Sequence, residues 1–196
     1  MTTYSDIELD ALRELANIGS GTAATALSQM LARTIDVSVP NAAALPLEEA
    51  VQSVGEPEAV VVGVVLPVLG DLPGLAVLLF QEKDADRICE ILGVEPGSEY
   101  AISALAEIGN ILCASYLGAI VSMVGLQLQP GPPQTAHDML GSIVSSVLLA
   151  PGEDREAVLL LDSDLTVEGG DECSPSFMFI PSAGGVDELL TRLGLA

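Results

Sequence analysis

Tryptophan is absent from these 196 residues, histidine and lysine occur once each and cysteine three times, and each scarcity closes a class of function. Cys89, Cys113 and Cys173 stand apart without a C-x-x-C pair, and His137 is the single imidazole. The spacing of a zinc site is therefore missing, and the thiols read as reduced and partly buried. The basic residues are Arg13, Arg33, Lys83, Arg87, Arg155 and Arg192, against 28 acidic ones, and the formal charge is −22. Such a field repels nucleic-acid phosphates and anionic lipid, so neither DNA nor a bare membrane is an expected partner. A fold this acidic also repels itself at low ionic strength, and salt shortens the range of that repulsion, so the composition points to a salt-loving host. The opening run MTTYSDIELD has neither a basic segment nor an apolar core. No standard secretory signal is read there, and the cytoplasm is the expected compartment.

Apolar residues make up 49% of the chain, enough for a sizeable core. Residues 108–126 carry no charge over about the length a membrane span needs. Membrane insertion is nevertheless not expected. The run holds Asn110, Cys113, Ser115 and Ser122, lacks flanking Lys or Arg, and aligns with a plainly amphipathic helix earlier in the chain.

That alignment is the chief organisational signal. Residues 10–40 lie over 103–133 at a constant offset of 93 without a gap, pairing Leu12 with Leu105, Glu14 with Glu107, Asn17 with Asn110, Ile18 with Ile111, Ala26 with Ala119, Met30 with Met123 and Pro40 with Pro133. Downstream, the runs 59–66 and 75–80 read as strands around the turn Gly70–Gly74, followed by a helix over 82–92 that stops at Gly93. The second half repeats the order with strands over 157–161 and 176–180 and a short helix over 186–193. Further helices are expected over 47–53 and 138–149, with 93–100 as the connector. The expected fold is a single α/β domain over residues 1–196, an α+β sandwich with pseudo-twofold symmetry. Its two repeats span about 5–93 and 100–196, and long helices pack on a β-sheet.

Ser5 with Glu8 three residues on is a capping box that opens the first helix. At 100° per residue, Leu12, Leu15, Ala16, Gly19, Ala23, Ala26, Leu27 and Met30 fall on one side. Asp10, Glu14, Asn17, Gly21, Ala24 and Ser28 fall opposite, facing away from the core. Beyond Asn17 that stripe holds only small side chains, over which another protein could approach the helix backbone. The matching line in the second helix is Ser103, Glu107, Asn110, Ala114, Leu117 and Val121. A Glu and an Asn on one solvated helix face carry no message alone. Asn is a mediocre helix former, however, and its recurrence at the same place in both helices asks for a reason.

The pattern [Asp or Ser]-x-x-x-Glu-x-x-Asn, with Pro 23 positions after the Asn, occurs as Asp10-Glu14-Asn17-Pro40 and again as Ser103-Glu107-Asn110-Pro133. Together with the runs Asn17–Gly21 and Ala23–Gln29, it resembles the CheC family of chemotaxis phosphatases, and the resemblance covers nearly the whole chain. It implies removal of the aspartyl phosphate from the phosphorylated response regulator CheY. Asn17 and Asn110 would orient the attacking water, and Glu14 and Glu107 would bind the regulator's lysine. No cofactor is implied for this chain, because the Mg2+ lies in the regulator's own active site. Phosphoryl transfer of this kind needs positioning and electrostatics more than covalent help. Asp10 and Ser103, one turn earlier, would support the helix or rim the docking surface. Family members often also pair with the receptor deamidase CheD, for which the region 137–141 is the candidate, with Asp138 also a candidate N-cap. The alternatives are a noncatalytic adaptor that binds CheD or the regulator, and a structural relative from the flagellar switch.

Three other features read as structural. The acidic run Asp162-Ser163-Asp164 with Glu168, Asp171 and Glu172 fails the EF-hand pattern, since Cys173 stands at the twelfth position, and a hairpin connection explains it better. Gly19-x-Gly21 interrupts a helix and has no accompanying Lys, which suits close packing or docking instead of a phosphate loop. Pro40 and Pro133 are expected to end segments returning from the long helices.

Overall fold

Ser5 takes extended backbone, its hydroxyl accepts from the Glu8 N–H, and the Glu8 carboxylate accepts from the Ser5 N–H, closing the expected capping box. Bonds from the Ser5 side chain and backbone hold the Glu8 carboxyl below its ordinary value. The helix so begun, α1 (Asp6–Leu31), ends at Ala32 in the left-handed region with φ 50°. The computed structural model describes residues 5–148, 157–169 and 171–195. After α1 come β1 (Ile35–Leu45), α2 (Leu47–Val54), β2 (Val60–Gly70), β3 (Gly74–Gln81), α3 (Glu82–Leu92), α4 (Glu99–Val124), β4 (Leu128–Pro130) and β5 (Gln134–Met139). The chain closes with α5 (Leu140–Leu148), β6 (Val158–Val167), β7 (Asp171–Cys173), β8 (Ser176–Pro181) and α6 (Gly185–Arg192).

The two long helices correspond residue for residue at the 93-residue offset. Both contain 26 residues, both start after a serine (Ser5, Ser98) whose hydroxyl accepts a backbone N–H three residues on, and both stop at a left-handed residue, Ala32 or Gly125. The strands are antiparallel throughout and run in the order β1-β6-β8-β3-β2-β4, with β5 also on β2 and β7 also on β6. That order is symmetric. The last strands of the two halves, β3 and β8, meet at the centre, and the first strand of each half pairs with the second strand of the other.

The prolines correct one expectation. The pairing of β1 shifts register between Ser38 and Asn41, so Pro40 lies inside a strand at an irregularity instead of ending it. At the equivalent place, Gly131–Pro133 separates β4 from β5. A residue with no N–H cannot serve a regular ladder, so the break falls where the prolines are. The acidic run is corrected too. Asp162, Ser163 and Asp164 belong to β6, which runs on to Val167. The helix expected over 138–149 begins at Leu140, because Asp138 is the fifth residue of β5; Leu149 lies outside the described residues.

Both faces of the sheet are covered, which is why β3, β8 and the first half of β6 read as apolar runs. On one side Val64, Leu66, Leu78, Phe80, Leu161, Phe177 and Phe179 meet α1, α3, α4 and α6; on the other Val77, Leu79, Leu160 and Met178 meet α2 and α5. Two glycines set the approach distances. A Cβ on Gly109 would lie 2.7 Å from Val64 Cγ1, bringing α4 down onto the sheet, and one on Gly19 would lie 2.5 Å from Tyr116 Cδ1, bringing α1 against α4. Tyr116 shares a 2.8 Å hydrogen bond with Ser163 of β6, and its ring centroid lies 4.8 Å from that of Phe177.

α4 is long and apolar enough to cross a membrane, but 56% of its apolar window is buried inside the fold. Its buried residues include Leu112, Cys113, Tyr116, Leu117 and Ile120. Among these, desolvation pushes the Cys113 thiol up to about 12. The native state therefore keeps a proton that the unfolded chain gives up above the ordinary 9.0. This contribution to stability is full below about pH 9 and is lost as pH rises toward 12. Native Cys113 should accordingly resist an excess of Ellman's reagent at pH 8 and react once guanidinium unfolds the chain. Prompt labelling of Cys113 in the folded protein contradicts this burial.

Candidate functional site

The equal lengths of α1 and α4 set the Glu and Asn pairs at equal depth, Glu14 and Glu107 each about 12 Å along its helix from the first residue. Glu14, Asn17 and Glu107 are exposed and Asn110 is half-buried. The opposite side of α1 is locked by Leu12, Leu15, Ala16, Ala23 and Leu27, each at most 1% exposed, so the helix cannot roll its polar line inward. In α4, Leu105, Ile108, Leu112 and Tyr116 do the same.

The small-residue track takes a different line from the one read by angle alone. Leu117, expected on the outward stripe of α4, is buried at 1% exposure, because α4 packs against both α1 and the sheet. Ala24 and Ser28 are half-buried, and the Ser28 hydroxyl accepts from the Ile35 N–H at 2.9 Å, tying α1 to β1. The exposed positions continue at steps of four, as Asn17–Gly21–Thr25 and Asn110–Ala114–Gly118. These also match at offset 93. A Cβ built on Gly21 or Gly118 would meet nothing within 4 Å, so the backbone there is open to an approaching surface.

The supporting residues differ between the helices. Asp10 pairs with Arg13 at 2.6 Å on the exposed face of α1, a contact worth little in water, whereas Ser103 is exposed and faces Ala106 at the matching position. Asp138 lies apart from both pairs, on exposed β5, where its carboxylate accepts from the Met139 N–H at 2.7 Å. It does not cap α5. The Leu140 and Gly141 N–H groups at that helix's start donate to Ala59 and Pro57 carbonyls instead, at 2.8 and 2.9 Å. Next to Asp138, His137 lies 3.2 Å from Glu82 across the strand edge.

Among the described residues no three His, Cys, Asp or Glu side chains converge as a metal-binding group. Asp164 accepts from the Ser174 hydroxyl at 2.8 Å, and Glu168 from the Thr34 hydroxyl at 2.9 Å. A cleft of about 260 Å³ lined by Val65, Pro67, Leu75 and Ile143 opens on the α2 and α5 side, the far side of the sheet from the Glu and Asn pairs. The carboxylates and amides on α1 and α4 therefore stand on convex, open helix faces. They can offer a donor, an acceptor and a negative charge to a surface laid on them, and they enclose nothing themselves.

Two residues beside these pairs carried a signal in the sequence that pattern reading passed over. Ile7 and Tyr100, again 93 apart, are 70% and 79% exposed, and extending the alignment three residues upstream of Asp10 and Ser103 brings them into register.

The family model of the CheC-like family matches residues 7–42, the stretch holding α1 and most of β1. The chain is 32% identical to the CheY-P phosphatase CheC of Bacillus subtilis over 95% of its own length and 94% of that protein's. It is 26% identical, over 84% of its length and 86% of the relative's, to a Halobacterium salinarum protein named as a CheC1. Among solved structures, Thermotoga maritima FliY aligns with a TM-score of 0.77 at 21% identity, covering 98% of both chains, a likeness of fold.

Proposed function

This chain belongs to the CheC-like family, and from that premise we propose that it hydrolyses the aspartyl phosphate of a phosphorylated chemotaxis response regulator of the CheY kind. The observation that carries the reading is the repeated, equally deep, outward presentation of Glu and Asn on two rigid helices. Asn is a mediocre helix former, and its recurrence beside a Glu at the same place in both helices favours catalysis over a purely structural role.

The phosphoryl group and its magnesium belong to the regulator, and each helix completes the site from outside. The carboxamide of Asn17 or Asn110 donates to and accepts from a water, holding it in line with the acyl phosphate. Positioning suffices because phosphoryl transfer asks for little covalent chemistry, and neither amide has to gain or lose a proton. Glu14 and Glu107 meet the regulator's active-site lysine through a charge-assisted contact. The bare tracks from Gly21 to Thr25 and from Ala114 to Gly118 let the regulator's loops reach the helix backbone. Asp10 and Ser103 rim the two docking surfaces.

The 93-residue register of helix, broken strand and short helix supports descent of the two halves from one ancestral unit. The scarcity of basic residues, together with the Halobacterium relative, supports a salt-loving archaeal host and a cytoplasmic site of action beside the regulator. The exposed strand β5 at Asp138 is the candidate surface for a deamidase of the CheD kind.

The test is decay of radiolabelled phosphate on the cognate regulator in high salt, with and without the protein. Acceleration is expected, and its absence overturns the proposal. The double variant Glu14→Gln, Glu107→Gln should raise KM for the regulator by up to about fivefold, with a smaller fall in kcat, since each docked regulator loses one exposed charge-assisted contact. A variant that loses kcat alone would contradict the docking role of these carboxylates.

A further inference from the structure

Ile7 and Tyr100 are each the second residue of a long helix, and no other part of the described fold covers them. At 100° per residue Ile7, Glu14 and Ile18 lie within about 20° of one line on α1, spanning about 16 Å. Tyr100, Glu107 and Ile111 repeat that line on α4, 93 residues later. Ile18 is 42% exposed and Ile111 half-buried. Each helix thus presents a large apolar side chain at its start, a carboxylate midway, and an isoleucine beyond, with the Asn alongside.

The geometry points to Ile7 and Tyr100 as the apolar anchors on which the response regulator docks, contacting apolar surface beside the regulator's lysine. This rests on the phosphatase reading and adds the source of its affinity. One exposed Glu–Lys contact is weak and further weakened by salt. Apolar contact is not screened in this way. An aromatic or branched side chain at the edge of a polar contact supplies most of the binding where charges cannot. The anchors differ in shape, isoleucine on one helix and tyrosine on the other, so the two faces grip the same regulator with different strengths. A second copy of this chain is the poorer occupant, because docking by these faces would bring Glu14 and Glu107 against like carboxylates.

The experiment uses the full chain, a CheY-type regulator held in its active form by beryllofluoride and Mg2+, and the variants Ile7→Ala, Tyr100→Ala and their double. Binding is read by fluorescence anisotropy, and turnover by steady-state phosphate release from the phosphorylated regulator in high salt. Both side chains are exposed, so circular dichroism and the melting temperature should match the wild type. The double variant should raise Kd and KM at least tenfold while keeping kcat within about twofold, and Tyr100→Phe should behave as wild type. An active wild type beside a double variant with unchanged KM overturns this inference and leaves the phosphatase reading standing. A wild type that releases no phosphate overturns both. A wild-type dimer that the double variant turns into a monomer, with regulator affinity unchanged, assigns these side chains to self-association and also overturns the inference.

Discussion

Replacing Asn17 and Asn110 together by alanine should slow dephosphorylation of the regulator by about 10²- to 10³-fold, toward the rate of the regulator alone. The magnitude follows from the chemistry proposed for the amide. One well-oriented donor and acceptor that fixes the attacking water supplies about 3 to 4 kcal/mol of barrier reduction. Either single variant leaves the other helix intact, so each should lose only one site's share of the rate, and the large fall should appear in the double variant alone. KM should change little, because the docking groups Glu14, Glu107, Ile7 and Tyr100 remain. Asn17 is exposed and Asn110 half-buried, and alanine is a better helix former than asparagine, so circular dichroism and the melting temperature of the double variant should match the wild type. Single-turnover phosphate release by the wild type, both singles and the double decides the matter. A double variant retaining more than a tenth of the acceleration removes the amides from the reaction.

The second large effect concerns stability. Gly19→Val should destabilise the fold by about 2 to 4 kcal/mol, since its Cβ would begin 2.5 Å from the Tyr116 ring and 3.1 Å from the Tyr116 backbone. The ring cannot retreat. Its hydroxyl is bonded to Ser163, its ring packs at a tilt against that of Phe177, and the residue is 1% exposed. For a chain of this size the cost corresponds to a drop in Tm of about 4 to 16 °C. Gly21→Ala, two residues away, should have the opposite sign and stabilise by up to about 1 kcal/mol, because a methyl there meets nothing and an exposed helix interior favours alanine. Thermal melts of the two variants in the same high-salt buffer should fall on either side of the wild type. Gly19→Val melting with the wild type would show that the helices do not approach as closely as described.

What the sequence disclosed and what it hid follow from burial. The helices were legible because each alternates a buried and a solvated side; α3 begins and ends at the expected residues, and the offset of 93 carried the equality of α1 and α4. The edge strands were not. β1 contains Pro40 and a register shift, and β5 is exposed along most of its length, so neither shows the alternation by which a half-buried strand is recognised. β6 was cut short because its second half alternates acidic or polar residues with buried ones, a pattern that reads locally as a connection. The Glu and Asn pairs could be found from spacing alone. The direction of the track beyond them could not, since whether α4 buries Leu117 depends on how it packs against α1 and the sheet.

The exchange of first strands across the sheet bears on how such a molecule can arise and be taken apart. A chain holding only residues 5–93 would leave β1 with no ladder to join and β2 with one side open, because the partner of β1 and those on one side of β2 come from beyond residue 127. Such a half is incomplete as a monomer and closes its hydrogen bonds only by trading that strand with an identical neighbour. Joined in one chain, the two halves share a single sheet while their outward faces differ, one with Ile7 and the Asp10–Arg13 ion pair and the other with Tyr100 and Ser103.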